Sequence, residues 1–155
     1  MPKPKFSLNQ EKAIFDELVA KTTHQTLAEW AIECAERTLP YFEEAHPDDA
    51  RPRWALETLQ TWIETGEFSM AVIRKASLDA HAAAREVGAD NPARSAARAA
   101  GQAVATAHVR THAAGAAIYS LQAIHRASDP ADASAAVAKE REWQYKRLQE
   151  LGAIY

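Results

Sequence analysis

The chain has 155 residues, a length that suits one folded domain better than two independent cores. Hydrophobic residues make up 47% and charged residues 25%, which is typical of a globular protein and excludes a disordered, collagen-like or disulfide-stapled chain. The formal net charge of −3 excludes a strongly basic nucleic-acid-binding protein. Thirty-five residues are alanine, 26 of them between Ala71 and Ala138, and only 5 are glycine. Because alanine loses the least entropy in a helix, this composition predicts an all-α fold.

Cysteine usage and apolar patterning predict where the protein resides. Cys34 is the single cysteine of the sequence, so no intrachain disulfide can form and a reducing compartment is favoured. The first ten residues, MPKPKFSLNQ, carry charge without a following apolar run, which is not the pattern of a signal peptide. No apolar stretch approaches the roughly 20 residues that a membrane span needs. We therefore expect a cytoplasmic protein with no membrane or nucleic-acid partner.

Apolar periodicity and capping residues predict a single-domain bundle of about six or seven helices over residues 1–155. Residues 1–6 carry two prolines and two lysines and are expected to form a loose arm. The predicted helices run between residues that cap or break a helix, and a short turn over 41–47 separates the second from the third. They extend from Ser7 or Asn9 to Ala20, from Thr22–Thr23 to Leu39 before Pro40, from Asp48 or Asp49 to Gly66, from Ser69 to Gly88, from Asn91 to Ala127, and from Ala131 to Leu151.

The segment from Pro92 to Ala127 is too long to be one straight helix. Its 36 residues would span roughly 54 Å, whereas a domain of this size is roughly 40 Å across. Gly101 and Gly115 are the positions where we expect it to bend or break. The alanines of this half predict close packing, because small side chains let helix backbones approach. The large aromatic residues of the first half, including Trp54, form the bulky side of the bundle.

Two histidines have the spacing of metal ligands. His108 and His112 are four residues apart, so on one helix both imidazoles share a face, on a stripe that also contains Tyr119. His81 is the candidate third ligand. However, a hairpin between the fourth and fifth helices would place position 81 opposite position 98, about 15 Å from His108. We therefore favour histidines that make hydrogen bonds across a tight helix interface over a metal or small-ligand site.

An acidic segment precedes the third predicted helix. Three alternatives are open for it: a solvated loop with a helix cap, an acid–base or metal cluster, or a contact surface for a basic protein. The two arginines that follow are expected to pair with the aspartates. The candidate partner-binding residues of this segment are Glu43, Glu44, Asp48, Asp49, Arg51 and Arg53.

The last predicted helix carries charges of both signs at helical spacing in KEREWQYKRLQE, a pattern typical of a solvated helix face. Trp143 and Tyr145 lie about 200° apart around such a helix, so they cannot both be buried on one narrow stripe. One of them is therefore expected at the surface or in an interface. Exposed aromatic residues among arginines are typical of binding hot spots.

Motifs of catalysis are missing from the sequence: it has no P-loop, GxGxxG, GxSxG, CxxC or calcium-binding loop. Cys34 lies on the apolar stripe of the second predicted helix and is expected to be a buried small hydrophobic residue. A nucleophilic cysteine would need a nearby base, for which only His24 or His46 could come close in the fold. We predict a protein that is not an enzyme and carries no cofactor.

Three segments resemble one family. The stretch from Cys34, CAERTLPYFEEAHPDDARPRWALETLQTW, together with AHAAAREV and AARAAGQAVATAHVRTHAAGAAIYSLQAI, is similar to the Imm-5-like immunity proteins of bacterial polymorphic toxin systems. The resemblance covers roughly Leu27 to Ile124, and the HPDDARPR string is its more specific part. It implies a small, mostly helical cytoplasmic protein that binds a cognate toxin protein and blocks it. It transfers no catalytic residues and does not identify the toxin.

Three functional hypotheses follow. The first is a non-enzymatic toxin inhibitor that binds through the acidic segment, with Trp143 or Tyr145 as additional contacts. The second is a metal- or small-ligand-binding helical protein that uses the pair His108 and His112, with His81 or Tyr119. The third is a helical module that forms a homodimer through its alanine-rich faces and apolar C-terminus.

Overall fold

A computed structural model of the chain describes residues 3, 5, 6 and 12–154. In this part the chain forms eight α-helices and no β-strand, so the predicted all-α bundle is confirmed. The helices are α1 (Lys12–Lys21), α2 (His24–Glu36), α3 (Leu39–Ala45), α4 (Arg51–Thr65), α5 (Met70–Arg85), α6 (Pro92–Ala105), α7 (His112–Ala127) and α8 (Ala133–Ile154). Their number exceeds the six or seven expected, because residues 41–45 of the expected turn 41–47 belong to α3. Within the described residues, no helix is both long and apolar enough to cross a membrane.

Half of the predicted N-terminal arm, residues 1, 2 and 4, lies outside the described residues, as do the expected first caps, Ser7 and Asn9. Two described residues of the arm contact the C-terminal end of α7. Lys3 Nζ donates a hydrogen bond to the His125 carbonyl oxygen at 2.8 Å, and the ring of Phe6 meets the His125 ring edge-on at 5.6 Å.

Several helix ends follow local capping chemistry. The side-chain oxygens of Thr23, Ser69 and Asn91 each accept a hydrogen bond from a backbone N–H two or three residues later, which begins α2, α5 and α6. Gly66 ends α4 with a φ of 69°, a left-handed conformation that glycine adopts without a Cβ clash. These four residues confirm the predicted boundaries. Pro40, however, does not end a helix: it lies in the first turn of α3, where a missing N–H breaks no intrahelical hydrogen bond.

The long predicted segment breaks at residues 106–111, and neither predicted glycine makes the break. Contacts from the α1–α2 junction hold this turn. Nε2 of His24 lies 2.5 Å from the carbonyl oxygen of Thr106, and the Arg110 guanidinium donates to two backbone carbonyls at the end of α1. Hydrogen bonds from distant parts of the chain thus satisfy carbonyl groups that helix ends leave free.

The two glycines instead permit close helix packing. A Cβ atom built on Gly101 of α6 would stand 2.7 Å from Nε2 of His81 on α5. One built on Gly115 of α7 would stand 2.6 Å from Oε1 of Gln102 on α6. Ser77 of α5 also donates a hydrogen bond to the Gly101 carbonyl at 3.0 Å. The prediction that small residues let these helices approach closely is confirmed at both contacts.

The core has a bulky part and an alanine-rich part. Trp30 of α2 and Phe42 of α3 are its largest fully buried side chains, whereas α5, α6 and α7 bury mainly alanine. Trp54 does not belong to the bulky part as expected, because 42% of its surface is exposed on the outer face of α4. Trp62, on the same helix, is half-buried.

Candidate functional site

The acidic loop, defined here by Glu43, Glu44, Asp48 and Asp49, is partly neutralised by arginines. Arg51 donates to both carboxylate oxygens of Asp49, at 2.9 and 2.7 Å, and also binds Glu86, the residue that follows α5. The hydrogen bonds from Arg51 hold the pKa of the Asp49 carboxyl below its usual value. The expected pairing is therefore correct for Asp49. The N-cap position of α4 is occupied by Ala50 rather than by an aspartate, but Oδ1 of Asp49 accepts a hydrogen bond at 3.1 Å from the backbone N–H of Arg51, the first residue of the helix.

Arg53 pairs with glutamates rather than with the aspartates. Its guanidinium makes two hydrogen bonds to Glu43, at 3.1 and 2.8 Å, and a third to Glu36 of α2 at 3.3 Å. Glu44 and Asp48 are exposed and have no hydrogen bond or ion pair within the described part of the chain. Two of the four carboxylates of the acidic loop therefore present an uncompensated charge to solvent.

Trp143 and Tyr145 of α8 are both half-buried. The Arg37 guanidinium lies 3.9 Å from the centre of the Trp143 ring and makes two hydrogen bonds, at 2.5 and 2.8 Å, to the buried Glu140. Tyr145 lines a hollow of about 640 Å³ together with Phe15. The two rings were expected to compete for one narrow buried stripe of the helix. They do not, because α2 and α7 both pack against α8 and part of each ring is covered.

The histidine pair does not share a helix face. His108 lies in the turn after α6, is exposed and stacks on Phe68 with 6.5 Å between ring centres. His112 begins α7, and its Nδ1 lies 2.8 Å from Oε1 of Gln102 on α6. The expected common face is wrong, because the chain turns between the two residues.

His81 lies opposite position 98, as the hairpin geometry predicts. The Arg98 guanidinium donates to Nδ1 of His81 at 2.9 Å, which requires a neutral imidazole. Tyr119 of α7 is half-buried and packs against the core. Among the described residues, no three His, Cys, Asp or Glu side chains come together to hold a metal ion. His81 and His112 instead make hydrogen bonds across tight helix interfaces, as was expected in preference to a metal site.

Cys34 is fully buried in α2. Burial, together with the charges of Glu140 and Glu33, raises the pKa of its thiol well above the ordinary value. A thiol without thiolate character is a poor nucleophile, so Cys34 acts as a small core residue.

The outer faces of α4 and α5 form a groove that was not predicted from the sequence. We call it the α4–α5 groove; its volume is about 490 Å³, and its walls include Trp54, Trp62, Phe68 and Val72. Trp54, Phe68 and Val72 are 42%, 49% and 45% exposed. One signal was available: Trp54, Thr58, Thr61 and Thr65 recur at helical spacing, which indicates one continuous face of α4.

Comparison with known proteins shows the family of the chain. The sequence model of the family described as "Imm-5 like putative immunity protein" matches residues 17–151. The chain belongs to the Imm-5-like family. No curated protein and no solved structure is significantly similar to it. The Imm-5-like match spans α2 to α7 in full, half of α1 and most of α8, and so includes both the acidic loop and the α4–α5 groove.

His81 makes the stability of this Imm-5-like domain depend on pH. Burial, with the charge of Arg98 as a second cause, lowers the pKa of His81 to about 4. In the unfolded chain this pKa is about 6.5, so the unfolded state binds more protons between these values and the domain loses stability as pH falls from 6.5 to 4. Urea denaturation at pH 7.5 and pH 5 is expected to show a smaller loss for His81→Gln than for the wild type. Equal losses in the two proteins would contradict this role.

Proposed function

We propose that this chain is an immunity protein that binds the active domain of a cognate bacterial toxin and blocks it without chemistry of its own. The observation that carries the proposal is the family match over residues 17–151. The protein acts in the cytoplasm, where its single cysteine stays reduced.

The state of the reactive side chains supports binding rather than catalysis. The Cys34 thiol is buried, and the imidazoles of His81 and His112 are engaged by Arg98 and Gln102. An inhibitor needs none of these groups to react. It needs a surface of roughly 800 Å² that covers the toxin's active site.

The acidic loop is the surface through which we propose that the toxin is first attracted. Glu44 and Asp48 present free charge, and Trp143 and Tyr145 retain partly exposed aromatic surface. Uncompensated carboxylates raise the association rate with a basic partner and disfavour acidic ones.

Charge reversal at Glu44 and Asp48 tests the acidic loop. The double variant Glu44→Lys/Asp48→Lys is expected to bind the toxin domain with an association rate about tenfold lower at low salt, because steering is lost. Its free energy of unfolding should change by less than about 0.5 kcal/mol, since neither side chain has a hydrogen bond or ion pair among the described residues. Asp49 is left unchanged, because Arg51 binds it. The matched control is Glu17→Lys, which removes an exposed i,i+4 pair on α1.

The binding partner for these experiments is the C-terminal domain of the polypeptide encoded beside this chain, purified as a catalytically inactive variant. Calorimetry should show one-to-one binding to the wild-type chain. Absence of binding would contradict the proposed function, whereas unchanged kinetics in the double variant would contradict only the role of the acidic loop.

A further inference from the structure

The α4–α5 groove combines exposed aromatic surface with hydrogen-bond acceptors. Trp54, Thr58, Thr61 and Thr65 follow one face of α4 over about 16 Å, taking 1.5 Å per residue. Phe68 and Val72 form the opposite wall at the turn into α5. A groove of this size accommodates several side chains of a partner.

The threonines of the groove offer acceptors rather than donors. Thr58, Thr61 and Thr65 each donate the hydroxyl proton to the backbone carbonyl four residues earlier on α4, at 2.8, 3.0 and 2.8 Å. Because a hydroxyl has one proton, only its lone pairs remain for a partner. In Thr65 a lone pair already accepts from the backbone N–H of Glu67. Thr58 and Thr61 therefore favour a partner that donates hydrogen bonds.

The charge of the groove has one sign. Its charged walls are the exposed carboxylates of Glu57 and Glu67, and none of its described lining residues is Lys, Arg or His. Arg53, next to Trp54 in the chain, is near enough for Glu57 to raise its pKa, but its hydrogen bonds go to Glu43 and Glu36.

One wall of the groove is rigidly supported. Trp62 is half-buried, and the ring of His24 packs against it with 4.9 Å between ring centres. His24 is itself fixed by the carbonyl oxygen of Thr106. A preorganised aromatic wall loses little entropy on binding, which is typical of the residues that dominate interface energetics.

We infer that the α4–α5 groove binds an arginine- or lysine-bearing segment of the toxin, an inference that rests on the proposed function. In this complex the methylene groups of the arginine or lysine side chains lie along Trp54 and Trp62, and their charged ends reach the carboxylates of Glu57 and Glu67. A second copy of this chain is the disfavoured occupant, because a two-fold contact would bring each groove's carboxylates against themselves.

The four tryptophan indoles provide a direct test. The probe is a seven-residue peptide with three arginines separated by glycines, and the matched control has citrulline, which is neutral, in place of each arginine. Nuclear magnetic resonance of the ¹⁵N-labelled full chain should show shifts of the Trp54 and Trp62 indole signals with the arginine peptide, while Trp30 and Trp143 stay unchanged. The citrulline peptide, and the arginine peptide with Glu57→Gln/Glu67→Gln, should bind about tenfold more weakly.

Three results would overturn the inference. One is no shift with millimolar arginine peptide, or a shift confined to Trp143. Another is equal affinity for the citrulline peptide. The third is a shift of Trp54 on dilution of the protein alone, which would show that a second copy covers the groove.

Measurements of affinity for the toxin domain and of its neutralisation distinguish this inference from the proposed function. Trp54→Ala should weaken the toxin complex about tenfold or more while the fold is kept, because exposed tryptophans are frequent hot spots. Unchanged toxin affinity in Trp54→Ala with full neutralisation would reject the groove and leave the immunity function standing. Peptide binding in the groove with no neutralisation would reject the immunity function and, with it, the toxin as the occupant, and would leave only the affinity of the groove for cationic segments.

Discussion

Replacing Trp30 with alanine is expected to lower the free energy of unfolding by about 3–5 kcal/mol, the cost of emptying a large core site. The Trp30 ring is fully buried and lies 5.4 Å from the Phe15 ring, and its Nε1 donates to the Gln144 carbonyl at 2.9 Å. The variant therefore loses packing between α2 and α1 as well as a hydrogen bond to α8. Urea denaturation followed by circular dichroism measures the change.

Trp54→Ala is the matched control for Trp30→Ala. The same side chain is removed, but 42% of the Trp54 surface is exposed, so the expected loss is below about 1 kcal/mol. A similar loss in both variants would contradict the assignment of Trp54 to an outer surface. A stable Trp54→Ala variant also makes the toxin-binding comparison interpretable.

Replacing Gly101 with valine is expected to cost about 1–3 kcal/mol by overpacking. A Cβ at this position meets three atoms of the His81 ring at 2.7 to 2.9 Å, and Ser77 holds the two backbones together. The imidazole could move away only by giving up its hydrogen bond from Arg98. The loss should appear in the denaturant midpoint with little change in slope.

The His81→Ala background identifies the cause of this loss. Without the imidazole ring, Gly101→Val should cost much less, which a double-mutant cycle measures as a coupling between the two sites. Gly152→Val is the control for backbone effects, because a Cβ built there has no neighbour within 4 Å beyond the adjacent residues and backbone of its own helix. An undiminished cost in the His81→Ala background would show that contact with His81 is not the reason for the glycine.

Local signals explain most of the predicted fold. The caps Thr23, Ser69 and Asn91 and the terminator Gly66 act on backbone groups within a few residues, so the sequence contains all that is needed to place them. The break at 106–111 was not predictable in this way, because it is held by His24 and by contacts of Arg110 with the end of α1. Such contacts join residues more than 80 positions apart.

The candidate site shows the same limit. Arg51 and Asp49 are two residues apart in the sequence, and their pairing was expected. Arg53 instead binds Glu43 and Glu36, which are 10 and 17 residues away and come close only in the folded chain. Which carboxylates of the acidic loop remain free could not be read from composition, since it depends on those distant pairs. The spacing of His108 and His112 predicted a shared face only on the assumption that the helix continues, and that assumption failed with the break.

The α4–α5 groove was not predicted, because the large aromatic residues of the first half, including Trp54, were expected to form the bulky side of the bundle. Trp62 is half-buried whereas Trp54 is exposed, although both lie on α4. The orientation of α4 against α2, α5 and α6 decides which ring faces outward, and that orientation is a tertiary property.

Growth rescue tests the immunity function most directly. The C-terminal domain encoded beside this chain is expressed in a test bacterium from an inducible promoter, with the full chain or with an empty vector. We expect arrested growth with the empty vector, and growth restored by the chain but not by an unrelated helical protein expressed at the same level. A toxic domain that this chain fails to neutralise at equal expression would contradict the immunity function.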